Sequence, residues 1–280
     1  MTWIHQAIRS CAGPPSAGPG TGLPLTAVAP AIRLASVYRF SRAFRGFMSS
    51  NSALRIAGPP KLVLFDLDDT LCDHSASLRV RLRMAFGPAL DGMSGVDLND
   101  VVEASAARSI AGTEHFADVL GEFGVTEPER ISGAVQRYIG DRYRGLKLYA
   151  ESLEVIQAIR QWKQIGLITN GPSKIQRDKL VWLDIAHLFP LALVSEEEGI
   201  AKPDPEIFYR ALRLAGSQPE DAVYIGNDAR VDVAGAQAAG LTSIWVNRSG
   251  RPWPGGTRPG YEIADLRSLI PLLGLDEPID

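Results

Sequence analysis

The chain has 280 residues, 45% of them hydrophobic, and a formal net charge of −3. That is enough for one large domain or a domain with a smaller insert, and no run approaches the roughly 20 apolar residues of a membrane-spanning helix. The charge is uneven, because residues 1–60 hold six Arg and no Asp or Glu, leaving 23 basic against 32 acidic groups in residues 61–280. So acidic a body argues against nucleic acid as the main ligand and suits a small substrate met in a local cationic pocket.

Residues 1–58 read as an N-terminal extension. Gly, Pro, Ala and Ser dominate Cys11–Pro30, which lacks any helical or strand period and is expected to be disordered. A short amphipathic helix fits Ala31–Phe47. The acid-free, Arg-containing character resembles an organelle transit peptide, while Met48 offers an alternative start just before a compact domain. Two cysteines, Cys11 and Cys72, match neither a disulfide framework nor a zinc spacing, which points to a reducing, cytoplasmic setting with organellar import as the minor alternative.

The rest of the chain is organised around Leu62–Leu71. Leu62–Phe65 is a short apolar run expected to form a strand buried on both faces. Asp66, Asp68 and Asp69 then crowd three carboxylates into four positions. Like charges so close raise one another's pKa unless a cation sits among them, so the cluster suggests a metal. Helices are expected over Ser75–Phe86, Asp97–Ala111, His115–Phe123 and Pro128–Arg142, punctuated by turns at Gly92–Gly95 and Gly124–Pro128. No strand pattern interrupts this interval, so residues 75–149 read as an all-helical insertion.

From Glu151 helix and strand alternate. The expected elements are helix Glu151–Lys163, with Leu153, Ile156, Ile159 and Trp162 on one apolar face, strand Ile165–Thr169, helix Ser173–Leu183 and strand Leu191–Val194. Helix Asp204–Ala215, strand Ala222–Ile225, helix Ala229–Ala239 and strand Ser243–Val246 come next, then a Pro-Gly-rich stretch with Trp253 and a last helix Ile263–Leu273. Asp204-Pro205 is a helix start, with an N-cap side chain and proline at the first helical position. Trp162, Trp182, Phe208 and Tyr224 read as core. Such alternation specifies an α/β fold with a doubly wound parallel sheet, whose ligand site lies beyond the carboxyl ends of the strands.

Four strand ends deliver polar groups: Asp66 and Asp68, then Thr169-Asn170-Gly171, then Lys202, then Gly226-Asn227-Asp228 with Asp232. Singly, each has an ordinary explanation as a turn, cap or surface charge. Together they fall where this fold places its site.

Asp66-Leu67-Asp68-Asp69-Thr70, Thr169-Asn170-Gly171, Lys202-Pro203-Asp204-Pro205 and Gly226-Asn227-Asp228-Ala229-Arg230-Val231-Asp232 resemble, in order, the four motifs of the haloacid dehalogenase superfamily of aspartate-nucleophile hydrolases. The resemblance runs from about Lys61 to the C-terminus. It implies a Rossmann-like core from residues 59–74 and 150–280, a helical cap inserted between them, and neighbouring first and fourth strands. It also implies catalytic roles for Asp66 as nucleophile, Asp68 as proton shuttle, Thr169 and Lys202, with Asn170, Gly171 and His74 against the substrate. Mg²⁺ would be held by Asp66, the Asp68 carbonyl and a selection from Asn227, Asp228 and Asp232. Many relatives carry Asp where this chain has Asn227, which leaves the choice between Asn227 and Asp228 open. Asp69 reads as a loop and helix-start residue.

Asp68 favours a phosphatase over a dehalogenase, because an alkoxide leaving group needs a proton and a halide does not. A non-catalytic binding protein on the same fold is the alternative from another class. The run Gly166–Leu180 is similar to the subgroup of nucleotidases and acylneuraminate 9-phosphate phosphatases, with phosphoglycolate and other sugar phosphates as competing substrates. Cap residues offered for selectivity are His74, Arg79, Arg83, His115, Arg142, Arg144 and Lys147. The expected partner is a small phosphorylated metabolite, and the chain is read as a monomer or homodimer.

Overall fold

The computed structural model describes residues 55–56, 58–108 and 112–275. The readings of Cys11–Pro30, Ala31–Phe47 and Met48, and the end of the helix expected at Asp97–Ala111, lie outside the described residues. Six parallel strands form one sheet in the order β3-β2-β1-β4-β5-β6, with β1 at Leu62–Phe65, β2 at Gln164–Thr169, β3 at Leu191–Val194, β4 at Ala222–Gly226, β5 at Thr242–Val246 and β6 at Tyr261–Ile263. All four residues of β1 are buried, as are all five of β4, as a sheet covered on both faces requires. Phe65 registers with Leu167 on one side and Ile225 on the other. The chain leaves β1 toward β2 and β3, then crosses back to β4. Strand order therefore reverses around β1, and a crevice opens at its carboxyl end.

One apolar cluster packs Val63, Phe65, Val155, Ile156, Ile159 and Leu180 on one face of the sheet, and another packs Leu62, Leu64, Ile207, Phe208 and Tyr224 on the other. A third is built only from residues between Leu82 and Tyr138. It is the separate core of four helices: α1 at His74–Phe86, α2 at Leu98–Ala107, α3 at Phe116–Glu122 and α4 at Pro128–Gly140. Phe116 is its centre, edge-on to Phe86 at 4.7 Å and to Tyr138 at 5.1 Å. The sheet is flanked by α5 at Ser152–Ile159, α6 at Ser173–Trp182, the single turn α7 at Ser195–Glu198, α8 at Pro205–Ala215, α9 at Ala234–Ala238 and α10 at Leu269–Leu272.

Helix starts follow side-chain chemistry. Asp73 accepts from the Ala76 N–H at 2.9 Å, Asp97 from Asn99 at 2.8 Å and Asp204 from Glu206 at 2.9 Å, each satisfying a donor that the first turn leaves orphaned.

Three expectations need correction. Ile263 ends strand β6, paired with Val246, and does not start a helix; a short 3₁₀ turn at Leu266–Ser268 precedes α10. Trp162 and Trp182 are exposed, as is Leu153. Helix α5 ends at Ile159, so Trp162 falls outside its period, and the buried face is carried by Val155, Ile156 and Ile159. Trp182 instead stacks on Tyr143 and donates to the Leu146 carbonyl at 3.3 Å. Phe208 and Tyr224 are buried as expected, and Trp253 lies edge-on to Trp245.

Candidate active site

Past β1 the chain turns sharply. Asp69 adopts a left-handed backbone, φ 58°, and its carboxylate accepts from the Ser75 N–H at 2.7 Å and hydroxyl at 2.6 Å. That side chain ties the turn to the first turn of α1, whose cap is Asp73. Arg248 fastens the turn from the far side, donating to the Thr70 carbonyl at 3.0 Å and to Glu151 at 2.6 Å while covering the Tyr149 ring.

The turn leaves Asp66 buried at the head of β1. Lys202 reaches it across the strand ends: Nζ donates to Asp66 Oδ1 at 2.6 Å, to Asp232 Oδ1 at 2.7 Å and to the Tyr224 hydroxyl at 2.8 Å. Burial pushes the Asp66 carboxyl up to about 7 against the pull of Lys202, and Asp232 adds to the rise. Burial disfavours the Lys202 ammonium, yet Asp232 and Asp66 together raise it to about 12. Two carboxyl groups thus share one ammonium in a buried site, and a cation bound beside Asp66 would favour its ionised form.

Asn170 holds the Lys202 loop in place. Its amide donates to the Lys202 carbonyl at 2.9 Å and accepts from the Lys202 N–H at 3.0 Å. Its side chain is therefore spent on positioning Lys202, although Asn170 and Gly171 both line the adjoining cavity. The Gly171 N–H donates to the Ser195 hydroxyl at 2.9 Å.

Asp68 faces a different set of groups. Lys179 Nζ donates to both its oxygens, at 2.8 and 2.7 Å, and Gln176 Nε2 donates at 3.1 Å. His74 Nδ1 lies 3.7 Å away. Burial works to raise the Asp68 carboxyl, but Lys179 and His74 outweigh it and hold it below its ordinary value. Gln176 also donates to the Thr169 hydroxyl, tying the end of β2 to Asp68. Lys179 and Gln176 are not among the residues singled out from the sequence, although they stand three apart on α6, which predicts one shared face.

The fourth motif divides its groups. Asn227 Oδ1 accepts from the Thr70 hydroxyl at 3.3 Å, and the same hydroxyl lies 3.1 Å from Asp66 Oδ2. Trp245 fixes the Asn227 carbonyl at 2.9 Å. Asp228 Oδ1 caps the next turn, accepting from Arg230 at 2.7 Å and Val231 at 2.9 Å. That turn, Ala229–Val233, is wider than an α-helix, with Val233 donating to the Asp228 carbonyl at 3.1 Å. The extra residue in the turn returns Asp232 to the strand end, where Oδ2 accepts from the Asp228 N–H at 2.9 Å. Asp232 therefore has both oxygens engaged, and Asn227 presents its oxygen beside Asp66. A carboxylate oxygen of Asp66 and the amide oxygen of Asn227 are hard oxygen donors, the kind that a small divalent cation such as Mg²⁺ takes.

A cavity of about 620 Å³ opens from Asp68 between the helical insertion and the loop after β2 with helix α6. His74, His115 and Arg142 line it, whereas Arg79, Arg83, Arg144 and Lys147 do not. Arg79 pairs with Glu103 at 2.7 Å and Arg144 with Asp141 on the outer surface. Arg81, absent from the sequence-based candidates, lines the cavity as well.

A model of haloacid dehalogenase-like hydrolases matches residues 60–240. The phosphoserine phosphatase of Thermus thermophilus is 38% identical over 156 residues, 55% of this chain and 62% of that enzyme. The glyceraldehyde 3-phosphate phosphatase of Methanopyrus kandleri is 31% identical over 222 residues, 75% of this chain and 95% of the relative. Among solved structures, the magnesium-bound HAD-hydrolase YfnB of Bacillus subtilis superposes with a TM-score of 0.65 at 26% identity, covering 78% of this chain and all of YfnB.

Proposed function

Because the chain belongs to the haloacid dehalogenase-like hydrolases, we propose that it is a Mg²⁺-dependent phosphatase cleaving a small phosphate monoester through an aspartyl-phosphate on Asp66. The observation that carries this reading is the pair of carboxylates two residues apart in different surroundings. Asp66 is bound by Lys202, and Asp68 by Lys179 at the mouth of the cavity. Asp66 is enclosed at the strand end, whereas Asp68 borders the cavity where a leaving group would lie, and that placement gives the two acids different tasks.

In the first half, an Asp66 oxygen attacks phosphorus and the bond to the ester oxygen breaks, with a proton from Asp68 going to the leaving alkoxide. In the second half, Asp68 as carboxylate takes a proton from water. The water oxygen bonds to phosphorus, the Asp66–phosphorus bond breaks, and inorganic phosphate leaves. As it stands, Asp68 is in the carboxylate form of the second half; the first requires the proton and a contact with substrate in place of Lys179. Lys202 neutralises Asp66 and the phosphoryl oxygens, and Asn170 keeps it aimed. The Thr169 hydroxyl and nearby N–H groups offset charge on the transferring phosphoryl group.

Mg²⁺ would be held by Asp66, the Asp68 carbonyl and Asn227, and when bound it supplies charge neutralisation between an anionic nucleophile and an anionic substrate. Asp232 serves Lys202 and orders the loop. Residues 75–149 are the cap that closes over the substrate, in an enzyme we place in the cytoplasm. No helix among the described residues is long and apolar enough to cross a membrane. A halide leaving group would leave Asp68 idle, which disfavours dehalogenation.

The test is phosphate release from p-nitrophenyl phosphate with Mg²⁺, against an Asp66→Asn control. Turnover lost in the control supports the reading, and equal turnover in both proteins removes it.

A further inference from the structure

Arg81 is a cation without an acid. Only 8% exposed, it sits in the wall of the 620 Å³ cavity. Its Nη2 donates to the Tyr138 carbonyl at 3.1 Å and its guanidinium lies 3.9 Å from the centre of the Tyr138 ring. Its Nε is buried with no partner, and no carboxylate among the described residues pairs with it. Burial depresses its pKa, and the like charge of Arg142, which lines the same cavity, adds to that against the pull of Tyr138. His115, across the cavity wall, also has a buried nitrogen without a partner, Nδ1, while Nε2 is hydrogen-bonded to Ser105 at 2.7 Å.

Burying an arginine among neutral and basic neighbours is costly, and leaving one of its donors unpaired adds to that cost. Such an arrangement is sustained where a ligand supplies the missing anion, and the guanidinium fork is suited to carboxylate or phosphoryl oxygens. Position agrees with this. His74 and Arg81 are seven residues apart on α1, two turns or roughly 10 Å along one face, and His74 is the residue next to Asp68. The same cavity therefore meets Asp68 and, roughly 10 Å further along α1, the unpaired cation.

Resting on the phosphatase reading, we propose that Arg81, seconded by Arg142, binds a second oxyanion of the substrate, so that the preferred ester carries another carboxylate or phosphoryl group beyond the one cleaved. Arg81 is a specificity residue that acts at the far end of the substrate and takes no part in bond breaking.

Calorimetric binding to the Asp66→Asn protein with Mg²⁺ tests this without turnover. Two matched pairs serve as probes: O-phosphoserine against O-phosphoethanolamine, and fructose 1,6-bisphosphate against fructose 6-phosphate. In at least one pair the member with the extra oxyanion binds at least tenfold more tightly, and the pair that discriminates identifies the anion as carboxylate or phosphoryl. In an Arg81→Met background that preference falls at least tenfold. Should that variant not fold, Arg142→Gln reduces the preference at least threefold. Equal binding within both pairs, or a preference that survives substitution in a folded variant, overturns the proposal. Either result leaves p-nitrophenyl phosphate turnover as a separate test of the phosphatase reading.

Discussion

Lys202 Nζ lies 2.6 Å from Asp66 Oδ1 and 2.7 Å from Asp232 Oδ1, with all three side chains buried. One ammonium holds two carboxylates that arrive from different strands, so removing it leaves both charges uncompensated. Breaking one partner out of such a buried set costs about 3–5 kcal/mol. Lys202→Met is therefore expected to lower the unfolding free energy by that order, read as a lower urea midpoint at unchanged slope, and to abolish phosphatase activity. An unchanged midpoint contradicts the buried-pair description.

Asn227 and Asp228 are assigned different tasks, and substitution separates them. Asn227→Ala should raise the Mg²⁺ concentration for half-maximal activity about 10–100-fold, the usual range for loss of a metal-supporting group. Asp228→Ala removes the cap on Arg230 and Val231 and should cost about 0.5–2 kcal/mol of stability, with a smaller change in Mg²⁺ dependence. Magnesium titrations of the two variants decide the matter, and the reverse order would make Asp228 the ligand.

Asp68 as proton donor predicts a dependence on the leaving group. Asp68→Asn should slow hydrolysis of an alkyl phosphate by about 10²–10⁴-fold and of p-nitrophenyl phosphate much less, because nitrophenolate departs without help. Equal losses for the two esters would argue for a structural role.

Much of this site can be read from the chain, since its groups follow strands whose apolar runs are unmistakable. Leu62–Phe65 and Leu191–Val194 occupy the expected positions, and β1 and β4 are neighbours. Strand β6 is not legible because three residues cannot display an alternating period. Lys179 and Arg81 are hidden for another reason. Each lies well inside a helix, and whether its face meets the site depends on how that helix is rotated against the sheet. Hydrophobic spacing gives α6 a buried face around Leu180 but says nothing of which polar neighbour sits over Asp68. The different surroundings of Asn227 and Asp228 turn on one extra residue in the Ala229–Val233 turn, a backbone feature without a side-chain signature.

Gly226 is the last residue of β4, and a Cβ there would overlap the Asp232 side chain. Gly226→Ala is expected to displace Asp232 from Lys202, costing about 1–3 kcal/mol as overpacking and reducing activity together with stability. Activity retained at full stability would mean that Asp232 has room to move.

Away from the site, Glu197 accepts from Arg177 at 2.6 Å and from the Ser173 hydroxyl at 2.5 Å, and Arg177 and Ser173 hold its carboxyl down to about 2. A depressed acid stabilises the fold above its ordinary value near 4.5 and loses that contribution as pH falls toward about 2. Both side chains are partly exposed, so the effect is of the size of a surface pair, about 0.2–1 kcal/mol. Glu197→Gln should narrow the stability difference between pH 6 and pH 3 by about that amount, read from thermal melts at the two values.

The central claim is that Asp66 becomes covalently phosphorylated. Enzyme turning over a phosphate monoester with Mg²⁺ can be quenched in acid and reduced with borohydride, which converts an aspartyl-phosphate to homoserine, and the peptide containing position 66 then read by mass spectrometry. Homoserine at position 66, present with substrate and absent without it, is the predicted result. Unmodified Asp66 throughout, in enzyme trapped during rapid turnover with another carboxylate reduced in its place, would contradict the account.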